Sequence, residues 1–202
     1  MAAAFDSLMP RTLVVIALVA GIGCQLKRPD TLPSRMIEPQ MEASAPPRVA
    51  GLNVTLVRLL DTQARAHIGR RMLRQEADGE LVEDPVWRWS SAPDRYLDTA
   101  LRLELTSRPD VRLVDAADAP ALAVTLLVWH LESSAVTQLV GVIQIQLTAV
   151  DRTVREELIR DSEPVSGELP GNLSTAAGRL LHRLASEGIT RMVTPRAARA
   201  HQ

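Results

Sequence analysis

Residues 139–150 read LVGVIQIQLTAV. From Ile143 onward the side chains alternate, with Ile143, Ile145 and Leu147 apolar and Gln144, Gln146 and Thr148 polar. Successive side chains of a strand point to opposite faces, so the stretch predicts a strand with one buried and one wet face. Such alternation belongs to an antiparallel sheet covered on one side. Upstream, ALAVTLLVWHLE (121–132) is a second strand signal of equal strength. Downstream, VREELIRDSEPV (154–165) continues the meander after a turn at Asp151-Arg152.

Further out, RVAGLNVTLV (48–57) is rich in β-branched residues and predicts the first strand. Asp78-Gly79 is a hairpin signal, which places strands near 66–75 and 80–89, with Pro85 keeping the second at an edge or shortening it. Ser91 is then expected as a helix N-cap, with Asp94 as capping-box partner and Pro93 in the first turn. Leu97, Leu101 and Leu105 recur every four residues beside Tyr96, Ala100 and Leu103, so an amphipathic helix should run to just before Pro109. DVRLVD (110–115) predicts a short strand. Asn172 is expected to cap a last helix that carries Leu173, Ala177, Leu180, Leu181 and Leu184 on one side. Strands, helix, strands, helix is the order of an α+β single domain: a mainly antiparallel sheet with two helices packed on one face.

The N-terminus is of another kind. TLVVIALVAGIG (12–23) is uncharged and apolar, follows Arg11, thins into small residues and stops at Cys24, the chain's sole cysteine. A membrane-spanning helix needs roughly 20 apolar residues, whereas this run has the length of a signal-peptide core. The order of charge, apolar core, small residues and cysteine resembles a bacterial lipoprotein precursor, in which Cys24 becomes the first mature residue and its sulfur carries a diacylglycerol. Gly21 stands where such precursors usually have leucine. A buried free cysteine in a soluble protein and an uncleaved anchor are the weaker alternatives. Residues 1–23 are thus expected as signal peptide. Residues 24–47, with five prolines in QLKRPDTLPSRMIEPQMEASAPP, are expected as the lipidated cysteine and a flexible tether of roughly 75 Å at full extension. The domain is expected over 48–193, and 194–202 as a disordered tail.

Net charge is −1, so there is no electrostatic reason to expect nucleic acid. With one Phe, one Tyr and three Trp, the core must be built from Leu, Val, Ile and Ala. Catalytic and cofactor motifs are missing: no P-loop, no G-x-S-x-G and no G-x-G-x-x-G occurs. His67, His130, His182 and His201 are scattered without a metal-ligand spacing, and His130 lies in a strand as a structural or surface imidazole. Ser166 sits in a turn-rich stretch. Asp94, Asp98 and Glu104 are expected on a solvated helix face, and Arg70-Arg71 in a basic strand. Trp87 and Trp89 share one strand face, and at least one should pack under the following helix. The chain is expected to be no enzyme and to need no cofactor or metal.

Four segments in this order resemble the ABC-type transport auxiliary lipoproteins of Gram-negative envelopes, the family that includes the lipoprotein of the paraquat-inducible operon. They are RRMLRQEADGELVEDPVWRWSSAPDRYLDTAL (70–101), VDAADAPALAVTLLVWHLE (114–132), VIQIQLTAVDRTVREELIRDSEPV (142–165) and NLSTAAGRLLHRLASEGI (172–189). The Tyr-x-Leu strand common after the family's linker has no recognisable counterpart here, which leaves the first edge of the sheet unassigned. The resemblance implies a non-catalytic auxiliary of a transporter that moves lipids between the inner and outer membranes. The implied partners are a mammalian-cell-entry (MCE) domain protein, outer-membrane lipids held through the acyl (palmitate-bearing) anchor, and further copies of the chain in a ring. Gln25 rather than Asp after Cys24 directs the expectation to the periplasmic face of the outer membrane. Two other roles stay open: assistance to cell-wall or lipopolysaccharide assembly, and a lipid-carrying periplasmic binding protein. The exposed loop DAADAP (115–120) is the first candidate for a partner contact.

Overall fold

The structure is a computed structural model that describes residues 33–41, 54–133, 135–167 and 170–193. The signal segment, Cys24, His201 and the tail 194–202 lie outside these residues. The elements are β1 (Arg35–Ile37), β2 (Thr55–Leu59), β3 (Gln63–Ala64), β4 (Arg71–Gln75), β5 (Leu81–Trp89), α1 (Pro93–Ser107), β6 (Val111–Leu113), β7 (Ala121–Glu132), β8 (Gln138–Thr148), β9 (Val154–Pro164) and α2 (Gly171–Val193).

The two strands with the strongest sequence signals form the spine. β7 and β8 pair antiparallel over their whole lengths, and β9 continues the meander on the far side of β8. The register sets Leu122 opposite Leu147, Val124 opposite Ile145 and Leu126 opposite Ile143, so one face is continuously apolar. The other edge of β7 is shared in parallel by β2 at Ala121–Leu122, by β3 at Thr125–Leu126 and by β4 at Leu131–Glu132. The sheet is therefore mixed: its long ladders are antiparallel, and its parallel pairings are short. β4 and β5 form the expected hairpin, and Gly79 supplies the positive φ (88°) that its turn needs.

Both helices lie on the apolar face and touch each other. Leu97, Leu101 and Leu105 of α1 are fully buried, as are Leu173, Ala177, Leu180, Leu181 and Leu184 of α2. Each such leucine contributes about 1.5–3 kcal/mol by leaving water. Trp89 is buried with its ring centroid 5.7 Å from that of Trp129. Trp87 is half-buried beneath the guanidinium of Arg35 at 5.4 Å. Of the tryptophan pair, Trp89 is the one in the core, packed against Trp129.

Several expectations need correction. The domain does not begin at Arg48. The compact unit starts at Ser34, and Arg35–Ile37 of the supposed tether pairs in parallel with Trp87–Trp89 of β5. Ile37 is buried, so one apolar residue among the prolines was enough to recruit this stretch to the unassigned edge. The strand sought over 48–57 is seen from Thr55, and residues 42–53 lie outside the described set. Ala66–Arg70 turns before β4 begins. Ser91 is not the N-cap of α1: Ala92 occupies that position in extended conformation without a side-chain cap. The Ser91 N–H instead donates to the Tyr96 hydroxyl at 2.7 Å, and Asp94 makes no capping box. A buried phenol thus takes the Ser91 N–H that the capping box assigned to Asp94, one residue before the helix's own cap. Leu103 is 39% exposed, because it falls between the leucines of the four-residue stripe. α2 starts at Gly171, so Asn172 stands inside its first turn rather than before it.

Candidate functional site

Cys24, the lipidation candidate, and Gln25 lie outside the described residues. Among those that are described, no group of three His, Cys, Asp or Glu side chains is placed to hold a metal, and no helix is long and apolar enough to cross a membrane. None of the described histidines belongs to such a group, though His67 lies near enough to His130 to act on its charge. His182 Nδ1 lies 4.0 Å from the Glu104 carboxylate, whose side chain is only 11% exposed. Glu104 is therefore not part of a solvated face: it is tucked between α1 and α2. Asp98 accepts from Thr62 Oγ1 at 3.1 Å and from Arg102 at 2.7 Å. The cleft lined by Met41, Leu103, Glu104 and His182 holds about 20 Å³. That is space for roughly one water, far below the roughly 300–1,000 Å³ of small-molecule sites.

His130 is buried and its Nε2 has no hydrogen-bond partner among the described residues. Burial pushes its pKa down; Arg160 and His67 act in the same sense and Glu132 opposes. Below about pH 6.5 the unfolded chain takes up a proton that the folded chain refuses, so stability falls as pH drops until the folded pKa is passed. Urea midpoints at pH 7.5 and 5.5 should show this loss in the wild type and a smaller one in His130→Gln. Equal losses would contradict it.

The residues that form a recognisable device are those sequence reading assigned to the tether. Beyond β1, residues 38–41 cross α2 as a strap. The Ile37 carbonyl accepts from Ser90 N–H at 2.8 Å, and the Gln40 N–H donates to the Ser174 carbonyl at 3.1 Å. The Ser174 hydroxyl donates to the Glu38 carbonyl, and Thr175 Oγ1 to Gln40 Oε1 at 3.1 Å. One turn after Ser174, Gly178 lies directly beneath the strap, where a methyl group would overlap the Gln40 carbonyl. The small residues Ser174 and Gly178, four apart on one helix face, let the backbone lie this close. Gly178→Ala should cost about 1–3 kcal/mol, since the strap must shift to accept the methyl group. Chemical denaturation would measure this; an unchanged or raised midpoint would remove the close contact. The strap also shortens the arm. Nine residues lie between Cys24 and Ser34, so the reach from the cysteine to the fold is at most roughly 35 Å rather than 75 Å.

The candidate contact loop 115–120 is at the other end of the domain. It is a turn held by the Ala119 N–H on the Ala116 carbonyl, with Asp115 and Asp118 exposed, and it leads into Ala121, the first residue of β7. The strap leaves beside Trp89 and Trp129, eight positions along β7, or roughly 26 Å away. The β8–β9 turn shares the loop's end, because Thr148 pairs with Ala121; its Val150 is 69% exposed. Arg155 fastens the C-terminus of α2 there by donating to the Met192 and Arg191 carbonyls at 3.0 Å each. No single residue in the sequence marks this polarity; it follows from where β1 pairs.

No family profile and no curated protein matches the chain. Solved structures do. Protein XCC0632 of Xanthomonas campestris, described under the family DUF330, superposes with a TM-score of 0.65 at 17% identity, over 77% of this chain and 94% of that one. The chain has the fold of XCC0632. A second, uncharacterised protein reaches a TM-score of 0.64 at 12% identity, over 80% of this chain and 99% of that one. The hypothetical protein CT253 of Chlamydia trachomatis reaches 0.53 at 14% identity, over 68% and 95%. At these identities the likeness speaks for the fold, and every residue role rests on this chain's own geometry.

Proposed function

We propose that the chain is an outer-membrane-anchored periplasmic lipoprotein and the non-catalytic docking component of an MCE-type ABC transport system that moves lipids between the two membranes. The observation that carries this reading is the two-ended layout of the domain. The chain enters from the Cys24 side at β1, just before the strap, and the exposed turns 115–120 and 149–153 stand at the opposite end. A short arm on the membrane side and an acidic, partly apolar tip on the other is what a docking component needs. The signal-like run that ends at the sole cysteine supports the anchor. The α1–α2 cleft is small, and the wider hollow of about 670 Å³ is lined by polar and charged side chains, among them Asp161, Arg183 and Glu187, which favours docking over carriage of a lipid inside the domain.

Affinity capture of the full chain from detergent-solubilised membranes tests the role. The expected catch is an MCE-domain protein. Asp115→Lys with Asp118→Lys should lower capture by about tenfold, the order expected when charges at a rim are reversed, with the urea midpoint unchanged. Capture of a cell-wall synthase, of lipopolysaccharide-assembly proteins, or of lipid alone would replace this reading with one of the other roles.

A further inference from the structure

Among the described residues β9 is an outer strand: it pairs with β8 along its whole length and with no other strand. Two bonds at the ends of this ladder show which of its backbone groups are used. The Ala149 N–H donates to the Thr153 carbonyl, and the Val165 N–H to the Thr137 carbonyl. In an antiparallel pair hydrogen-bonded residues alternate, so the bonds to β8 fall on the odd-numbered residues of β9. The N–H and C=O groups of Val154, Glu156, Leu158 and Arg160 therefore point to the free edge, while at Ser162 the N–H donates to Asp161 Oδ1 at 2.7 Å and the carbonyl accepts from Arg183 at 3.0 Å. Pro164, which has no N–H to offer, continues the same series.

The side chains divide in the same way. Odd positions face α2, where Glu163 and Asp161 pair with Arg179 and Arg183, and Ile159 is buried. Even positions face the open side, where Leu158 is 61% exposed. Read outward from Leu158, opposite charges match at two pairs, Glu156 with Arg160 on the open side and Arg155 with Asp161 on the side where both are held by α2, while Glu157 meets Ile159. A strand laid antiparallel to its own copy about Leu158 therefore meets opposite charge at each of these pairs, and leucine meets leucine. Other centres fail. Centring on Glu156 or Glu157 opposes like carboxylates, centring on Ile159 sets Glu157 against Asp161, and centring on Arg160 opposes two guanidiniums.

We propose that β9 pairs edge to edge with β9 of a second copy, antiparallel about Leu158, to form a closed two-fold dimer with one continuous sheet. The occupant is a second copy because this matching of opposite charges about one residue is what a strand needs to meet itself, and the strand of another protein makes no such demand. A long unpaired edge is a liability that proteins cover or blunt, and here the cover would be the chain itself. The contact is isologous and closes on itself, so a ring of copies would need a further surface.

The test uses the full chain carrying Cys24→Ser, purified in detergent, and so does not depend on the lipid anchor. Light scattering at about 100 μM, a concentration that populates even weak dimers, should give twice the chain mass. Leu158→Pro removes an N–H that faces the edge and not β8, so the urea midpoint should hold while the mass halves. Arg160→Glu opposes the Glu156 of the second copy and should weaken the dimer by at least about tenfold; adding Glu156→Arg should restore it. Leu158→Cys should oxidise to a disulfide-linked dimer, because facing Cα atoms of a hydrogen-bonded antiparallel pair lie about 5.5 Å apart. A monomer at that concentration, or an oligomer whose mass ignores both Leu158→Pro and Arg160→Glu, overturns the proposal.

Discussion

Cys24→Ala should leave the chain at its full 202 residues and release it from the membrane fraction. The sulfur is the one atom in the run that can accept a diacylglycerol, and in lipoprotein precursors cleavage follows lipidation. Without the thiol both steps should stop, so residues 1–23 should remain attached. Anchoring should fail as well. Each acyl CH₂ buried in a bilayer contributes about 0.8 kcal/mol; one chain binds only marginally, and two or more make the attachment lasting. Mass spectrometry of the intact protein and carbonate extraction of membranes measure the two halves separately. A variant of normal mature mass that stays with the membrane would end the lipoprotein reading, while the fold and the edge-pairing proposal would stand.

Leu101→Ala should destabilise the domain by roughly 2–5 kcal/mol, the range for a leucine truncated in a core that relaxes only in part. Leu101 is fully buried at the middle of α1, in the one cluster that joins α1, α2 and the sheet. Against the roughly 5–15 kcal/mol that holds an ordinary domain folded, this is a large share. Leu103→Ala is the control. It deletes the same atoms two residues along the same helix, but from a side chain 39% exposed, and should cost well under 1 kcal/mol. Urea melts of both variants decide the matter: similar midpoints would mean that the buried stripe of α1 is misplaced, and with it the packing of both helices on one face.

Much of the architecture was legible in the residues. The alternation at Ile143–Thr148, the four-residue leucine spacing of α1 and the Leu/Ala stripe of α2 each repeat a local period, and the structure turns each apolar side to a single core. The turns at Asp78-Gly79 and Asp151-Arg152 were readable for the same reason, since their backbone needs are local: Gly79 and Arg152 both take positive φ. What defeated sequence reading was non-local. Nothing in RMI distinguishes Arg35–Ile37 from the proline-rich residues around it; those three residues form a strand because β5 offers them an edge and the core a place for Ile37. Ser91 has the composition of a cap, yet its N–H finds the Tyr96 hydroxyl once Tyr96 packs inward. Glu104 looks solvated until α2 closes over it.

The sequence by itself determined an α+β chain with an apolar sheet face, two covering helices and a lone cysteine behind a signal-like run. Each of these is written in short-range periodicity or composition, and local dihedral and burial preferences suffice to read it. The tertiary structure alone decided that the supposed tether straps over Gly178, that strap and loop 115–120 stand at opposite ends, and that no described strand covers the outer edge of β9. These depend on which distant segments fit one another, and a backbone hydrogen bond or a close approach carries no side-chain pattern that would announce its partner in advance.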